Sequence, residues 1–368
     1  MHLLHVVGAR PNFMKAAPVM RAFDKHRGAR QTLVHTGQHY DAAMSDVFFE
    51  QLGLPRPDVC LHVGSGSHAV QTARIMTAFE QALVAHAPDL VLVYGDVNST
   101  LAAALVCAKL GVPAGHVEAG LRSFDRSMPE EINRIVTDRL ADLLFTPSRD
   151  GDENLRNEGV PRRRIHCVGN VMIDTLVRLL PRAERPPLPG LRDGYALVTL
   201  HRPSNVDDPA MLRRILAALV ELSGECPLVF PVHPRTRQRI AAQGIDVPAD
   251  GRFTLLEPVG YTEMLALERD ARAVITDSGG VQEETTYLGV PCLTLRENTE
   301  RPVTVVLGTN VLIGGDMDRL KVEFGAVLEG RAKIGRIPPL WDGRAGERIA
   351  EVVVGGAAEE PRWLLRAA

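Results

Sequence analysis

Hydrophobic positions along this chain fall into short unbroken runs separated by longer stretches in which apolar residues recur every third or fourth position. The short runs lie at 3–7, 31–35, 90–94, 114–117, 143–146, 166–168, 196–200, 228–232, 254–256, 273–276, 292–295 and 311–313. Most are rich in Val, Leu and Ile and do not alternate with polar residues, which predicts strands buried on both faces. The amphipathic stretches, among them 14–26, 69–85, 100–110, 130–141, 209–222 and 282–288, predict helices. Strand and helix alternating in this way imply parallel sheets with helices on both sides, the α/β class. The Pro-rich, charged segment 181–194 breaks the rhythm and predicts an interdomain linker. The expected architecture is two doubly wound Rossmann-like domains facing each other across a cleft. Residues 1–170 form the first, 171–350 the second, and 351–368 a C-terminal helix packing back on the first.

Polar groups collect just after the predicted strands: Arg10, Gln38 with His39, Asp96, Glu118, Asn170, His201, His233, Asp277 with Ser278, and Arg296. Ligands of open α/β sheets bind outside the carboxyl ends of the strands, so two sheets presenting such ends predict an interdomain active site.

The densest signal is Thr276-Asp277-Ser278-Gly279-Gly280-Val281-Gln282-Glu283-Glu284-Thr285. A strand enters it and a helix leaves it. The two glycines permit a sharp turn and close approach of a ligand, and the free N–H groups of a helix start favour an anion. Glu284, one turn on, is placed to accept hydrogen bonds from sugar hydroxyls. The segment reads as a cradle for a nucleoside diphosphate, or else as a plain strand–turn–helix corner. Gly8-Ala9-Arg10-Pro11 with Lys15 brings two cations to another helix start, a second anion site or a solvated cap. Asp96 and Glu118 end strands that would let both carboxylates reach one substrate. Asp96 could instead cap the next helix. Glu130, in Pro129-Glu130-Glu131, is either a third acid–base candidate or ordinary first-turn dipole compensation. His201 and His233 at strand ends read as ligand contacts or acid–base groups, and Arg301 as a guanidinium for phosphate or carboxylate.

Composition narrows the partners. The 368 residues suffice for two domains, 45 % are apolar, and the net charge of −3 is evenly mixed, which argues against a dedicated nucleic-acid binder. The five cysteines include no C-x-x-C pair, and four lie in apolar runs, so a disulfide framework and a zinc site are not expected and a reducing cytoplasm fits. No apolar run is long enough to span a membrane, and no leader peptide is read at the N-terminus. No residue pattern calls for a metal or an organic cofactor.

Taken together, the segments resemble the non-hydrolysing UDP-N-acetylglucosamine 2-epimerase family. The resemblance rests on Gly8-Ala9-Arg10-Pro11 with Lys15, Gly95-Asp96, His116-Val117-Glu118-Ala119-Gly120-Leu121-Arg122, Pro129-Glu130-Glu131 with Asn133-Arg134, His201-Arg202, Pro231-Val232-His233, the run from Thr276 to Glu284, and Thr299-Glu300-Arg301-Pro302. These occur in the family's order over about residues 3 to 350. The resemblance implies a glycosyltransferase-B-like fold, a homodimer, and interconversion of UDP-GlcNAc and UDP-ManNAc for polysaccharide biosynthesis. It implies Asp96, Glu118 and Glu130 as acid–base groups, His201 near the leaving group, and Lys15 as a positioning or charge-stabilising cation. Arg10, His233, Ser278, Gly279, Gly280, Glu284 and Arg301 would hold the UDP moiety, with Glu284 on the ribose. Two regions depart from the family pattern. His201-Arg202-Pro203-Ser204-Asn205 replaces the usual His-Arg-Arg-Glu-Asn, and the loop 64–68 lacks a typical glutamine. Both belong to the activator site of bacterial members, so this chain is expected not to need UDP-GlcNAc as an activator. The departures also leave room for a modified sugar such as a diacetamido uronate. A hydrolysing epimerase and a glycosyltransferase on the same fold are the rival readings.

Overall fold

The computed structural model describes residues 1–38, 49, 51–188, 194–244 and 251–358. Its strands are β1 His2–Val7, β2 Arg30–His35, β3 Val59–Cys60, β4 Leu90–Tyr94, β5 Ala114–Val117, β6 Leu143–Thr146, β7 Ile165–Cys167, β8 Ala196–Thr199, β9 Leu228–Pro231, β10 Phe253–Leu256, β11 Ala273–Thr276, β12 Cys292–Thr294 and β13 Asn310–Leu312. The helices used below are α1 Arg10–Asp24, α2 His68–His86, α3 Asn98–Leu110, α4 Pro129–Leu140, α5 Arg149–Asn157, α6 Val171–Leu179, α7 Pro203–Val206, α8 Pro209–Ser223, α9 Pro234–Ala242, α10 Tyr261–Arg269, α11 Gly279–Leu288, α12 Pro302–Val306, α13 Met317–Leu328 and α14 Ala345–Ala358. The chain divides into unit 1, Met1–Thr175 with Pro339–Ala368, and unit 2, Leu176–Pro338.

Unit 1 is built on a parallel sheet in the order β3-β2-β1-β4-β5-β6-β7. β1 pairs with β2 on one side and β4 on the other, so the strand order reverses between β1 and β4. One face buries Leu4, Val6, Val34, Val91 and Val93 against Phe79 and Leu83 of α2 and Ala103 and Val106 of α3. Consecutive positions of β1 and β4 are buried, on the opposite face as well, which explains why these strands read as unbroken apolar runs. The unit is completed from far along the sequence. Trp341, buried, donates its indole N–H to the Pro147 carbonyl at 2.9 Å. Asp174 accepts the first N–H groups of α14, from Ala345 at 3.0 Å and Gly346 at 2.7 Å. At Gly346 a side chain would press on the Pro18 carbonyl 2.7 Å away, so glycine lets α14 cross α1 closely.

Unit 2 repeats the plan with the order β10-β9-β8-β11-β12-β13, reversing between β8 and β11. Val198, Phe230, Ile275 and Leu293 pack against Leu212, Ile215, Leu216 and Leu219 of α8 and Phe324 of α13. Both units are therefore doubly wound parallel sheets, as the alternating pattern implies.

Three details differ from the sequence reading. β3 has two residues, too few to leave a hydrophobic signature. α1 and α11 begin at Arg10 and Gly279, some residues earlier than the apolar periodicity suggests, because Pro11 suits a first turn and the glycines of α11 carry no apolar signal. Part of the expected linker, 189–193, and the last residues, 359–368, lie outside the described residues, as does His39.

Candidate active site

In unit 1 the reversal between β1 and β4 leaves the crevice where doubly wound sheets hold ligands. Gly8 ends β1 with no room for a side chain, since one would collide with Ser99 and Thr36. Asn12 accepts the N–H groups of Gly8 and Ala9, both at 3.0 Å, and donates to the Tyr94 carbonyl at 2.8 Å, tying the β1 loop to the end of β4. Arg10 is exposed at the start of α1, whereas Lys15, one turn on, is buried and ion-paired with Glu118.

Asp96 follows β4. It does not cap α3, where Val97 holds the cap position. Its carboxylate instead pairs with Arg134 of α4, and Asn133 donates to its carbonyl at 2.8 Å. Arg134 also grips Glu131 through Nε at 3.0 Å and Nη2 at 2.7 Å. Glu131 accepts the N–H groups of Ser123 at 3.0 Å and Phe124 at 2.9 Å. Burial pushes the Glu131 carboxyl up, but Ser123, Arg134 and Phe124 together hold it below its ordinary value. Glu130 is half-buried in the first turn of the same helix. Glu118 follows β5 with φ +74, the left-handed region that non-glycine residues seldom adopt.

In unit 2 the reversal lies between β8 and β11. Asp277, wholly buried, accepts the backbone N–H of His201 at 3.1 Å and of Arg202 at 2.9 Å, and the Asn205 amide at 3.1 Å. His201 Nδ1 lies 3.1 Å from the same carboxylate while the rest of its side chain is exposed. Burial opposes ionisation of Asp277, and the His201, Arg202 and Asn205 contacts reverse that, holding it below the ordinary value. Ser278 stands at the cap of α11 without a side-chain bond to it, and the first turn has no acid, so its N–H groups are left for an anion. A side chain on Gly279 would lie 2.5 Å from Arg301 Nη1, so the guanidinium rests directly on the glycine turn. Arg301 Nε meets Glu283 at 2.8 Å, and Arg301, Arg296 at 2.7 Å and Arg202 at 3.6 Å converge on Glu300. Burial would raise the Glu300 carboxyl, but these three cations hold it well below the carboxylate range. Gly280 is half-buried on the same turn, and His233 is exposed after β9, the strand beside β8.

Glu284 is buried and accepts the Tyr261 hydroxyl at 2.7 Å. Burial pushes its carboxyl up to about 7, against the pull of Tyr261 and Glu268. Glu268, fully buried beside it, is raised well above the ordinary value by burial and by Glu284.

Unit 1 thus carries Asp96 and Glu118 past adjoining strand ends, with Lys15 of α1 paired to Glu118, and unit 2 carries His201, Ser278, Gly279 and Arg301 at its own reversal. The sequence reading quoted His116 and Arg134 within longer segments without giving either a role, and did not single out Asp138 or Glu268. The available signal was the polar stripe Glu131, Arg134, Asp138 at helical spacing on α4, which turns out to be the buried side. Among the described residues no helix is long and apolar enough to cross a membrane, and no group of three or more His, Cys, Asp or Glu could hold a metal ion.

A family model described as UDP-N-acetylglucosamine 2-epimerase matches residues 21–354. The UDP-2,3-diacetamido-2,3-dideoxy-D-glucuronate 2-epimerase of Pseudomonas aeruginosa is 43 % identical over 358 residues, covering 95 % of this chain and 99 % of that protein. The UDP-N-acetylglucosamine 2-epimerase of Methanocaldococcus jannaschii is 40 % identical over 367 residues, covering 97 % and 100 %. The crystal structure of the M. jannaschii UDP-GlcNAc 2-epimerase with UDP-GlcNAc and UDP superposes with a TM-score of 0.88, covering 97 % of this chain and 100 % of that one. The Neisseria meningitidis UDP-GlcNAc 2-epimerase bound to UDP-GlcNAc, 30 % identical, also gives 0.88, covering 96 % and 100 %. These likenesses, with the two doubly wound sheets, give a Rossmann-like fold of the glycosyltransferase-B kind.

Proposed function

The chain belongs to the UDP-N-acetylglucosamine 2-epimerase family, and from that premise we propose that it inverts carbon 2 of UDP-GlcNAc to give UDP-ManNAc, reversibly and without hydrolysis. The hydrogen on carbon 2 has no neighbouring carbonyl, so direct deprotonation is unfavourable. One carboxylate removes that proton as the bond from carbon 1 to the diphosphate oxygen breaks, leaving UDP and a glycal. A second acid returns a proton to the opposite face of carbon 2, and the UDP oxygen re-forms the bond to carbon 1. Asp96, Glu118 and Glu130 are the proton carriers in this reading, with base and acid exchanging roles between directions.

The observation that carries it is the corner of unit 1 where Asp96 and Glu118, from neighbouring strand ends, each meet a separate cation, Arg134 and Lys15. In unit 2 the start of α11, with Ser278, Gly279, Gly280 and Arg301, takes the departing diphosphate, whose negative charge the open N–H groups and guanidinium favour. Glu284 takes the ribose hydroxyls, His201 stands near the leaving group, and Arg10 and His233 complete the contacts to UDP. A homodimer, a product used in polysaccharide assembly and independence from UDP-GlcNAc as activator belong to the same proposal.

A second reading keeps the chemistry and changes the sugar to a diacetamido uronate, as the Pseudomonas relative's name suggests. Proton NMR of the protein with each UDP-sugar in deuterated water separates the two. Loss of the carbon-2 proton signal with appearance of the 2-epimer identifies the substrate. Release of free sugar and UDP would overturn the non-hydrolysing reading, and no change with either sugar would overturn both.

A further inference from the structure

We propose that His116 and Asp138 are positioning residues for Glu118 and Asp96, a role that rests on the reading of those carboxylates as proton carriers. Glu118 stands at φ +74, a backbone conformation unfavourable for a non-glycine residue, so its surroundings must hold it there. The N–H groups of Glu118 and Ala119 both donate to the Phe145 carbonyl on β6 at 3.0 Å. Beside these and the Lys15 ion pair, a further restraint comes from one carboxylate that grips the chain on both sides of the turn.

Two residues before Glu118, His116 places Nδ1 2.6 Å from Asp138 Oδ1. Two residues after it, Gly120 donates its N–H to Asp138 Oδ2 at 3.1 Å, and Arg122 meets the same oxygen at 2.7 Å. Arg122 is fixed in turn by two parallel bonds to Glu158, at 2.7 and 2.8 Å. His116 and Asp138 are wholly buried. Burial disfavours the Asp138 carboxylate, and His116 and Arg122 outweigh that and keep it ionised.

The other ring nitrogen reaches the second carboxylate. His116 Nε2 lies 2.7 Å from the Gly95 carbonyl, which belongs to the peptide joining Gly95 to Asp96. Gly95, at φ +62, also donates its N–H to the Val117 carbonyl at 3.0 Å and packs on Lys15. One imidazole therefore couples the end of β4, which carries Asp96, to the end of β5, which carries Glu118. Both its partners are acceptor oxygens, one of a carboxylate and one of a backbone carbonyl. A buried charged network of this kind is weak support for stability, because apolar replacements of similar volume often serve as well. Its geometric effect is to fix two carboxylates relative to each other, where a displacement of about 1 Å lowers turnover about 100-fold.

The test uses the full-length protein with Asp138→Asn, His116→Gln and, as a reference, Glu118→Gln. Asp138→Asn and His116→Gln are expected to lower kcat by about 100-fold with KM changed less than about threefold, and exchange of the carbon-2 proton falls in step. Calorimetric affinity for UDP is expected to stay near that of the parent. Unchanged kcat in both variants, with Glu118→Gln inactive, overturns the positioning role alone. Retained turnover in Glu118→Gln overturns the underlying reading of that carboxylate. Nitrogen-15 NMR of the histidine rings in the unmutated protein decides the matter even if the variants do not fold. Ring N–H signals at His116 hydrogen-bonded to both Asp138 and the Gly95 carbonyl support the assignment, and absence of the bond to either partner overturns it.

Discussion

Lys15 and Glu118 form a buried ion pair packed against the α-carbon of Gly95, where an added methyl would lie 2.7 Å from the lysine Nζ. Gly95 also adopts φ +62. Gly95→Ala is therefore expected to strain the backbone by about 1–2 kcal/mol and to push Lys15 away from Glu118. Thermal unfolding and steady-state kinetics check this together: a lower Tm with a large fall in kcat is expected. A variant that unfolds earlier but turns over normally would show that the pair is structural only.

The same logic in unit 2 gives a binding prediction. Gly279 has no unusual φ, so alanine is acceptable to the backbone, but its methyl would lie 2.5 Å from Arg301 Nη1. That guanidinium is pinned by Glu283 and Glu300 and has little freedom to retreat. Gly279→Ala is expected to weaken UDP binding about tenfold, about 1.4 kcal/mol, measured by calorimetry with the Tm little changed. Unaltered affinity would remove Arg301 from the diphosphate site.

Glu268 and Glu284 make stability depend on pH in a direction opposite to most carboxylates. Both titrate higher in the folded protein than the ordinary 4.5, Glu284 at about 7 and Glu268 above its ordinary range. Well below 4.5 both are protonated folded or unfolded, and nothing is lost. As pH rises past that value the unfolded chain releases protons that the folded chain retains, so stability falls through about pH 7 and beyond. Glu268→Gln is expected to match the parent Tm near the acid end and to exceed it increasingly toward about pH 8. A Tm difference that does not grow with pH would mean that Glu268 is not held protonated.

Arg134 is the common partner of Asp96 and Glu131. Replacing it with Met leaves two carboxylates without their cation, one of them fully buried, and is expected to cost about 3 kcal/mol or more. Chemical denaturation gives that figure. Kinetics of the same variant should show kcat falling, but less far than in Asp96→Asn, because the proton carrier is displaced rather than removed.

The alternation of apolar runs and amphipathic stretches carried the fold, because strands such as β4 and β11 are buried on both faces and leave no polar interruption. The strand-end rule also carried the placement of Asp96, Glu118, His201 and Asp277, since these residues lie one or two positions past their strands. What stayed hidden was the supporting charge. α4 looks amphipathic with Ile132, Ile135 and Val136 as its core face, yet the buried residues are Glu131, Asn133, Arg134, Thr137 and Asp138. A polar helix face is ordinarily a solvated one, and only partners distant in sequence, His116, Arg122 and Asp96, reveal it as an interior. The pairing of Glu268 with Glu284 was hidden for the same reason, since 16 positions separate them and burial alone makes the pair matter.

Unit 2 is one continuous stretch, whereas unit 1 takes its indole anchor Trp341 and its helix α14 from beyond residue 338. During synthesis, then, the unit begun first is the one finished last. Its sheet is translated early and waits, with the face of α1 that receives α14 uncovered, while the whole of unit 2 emerges and folds. A break in the chain after residue 338 would therefore strip the unit that carries Asp96 and Glu118 of an anchor and a helix, while unit 2, with the glycine turn of α11, keeps every residue it is built from.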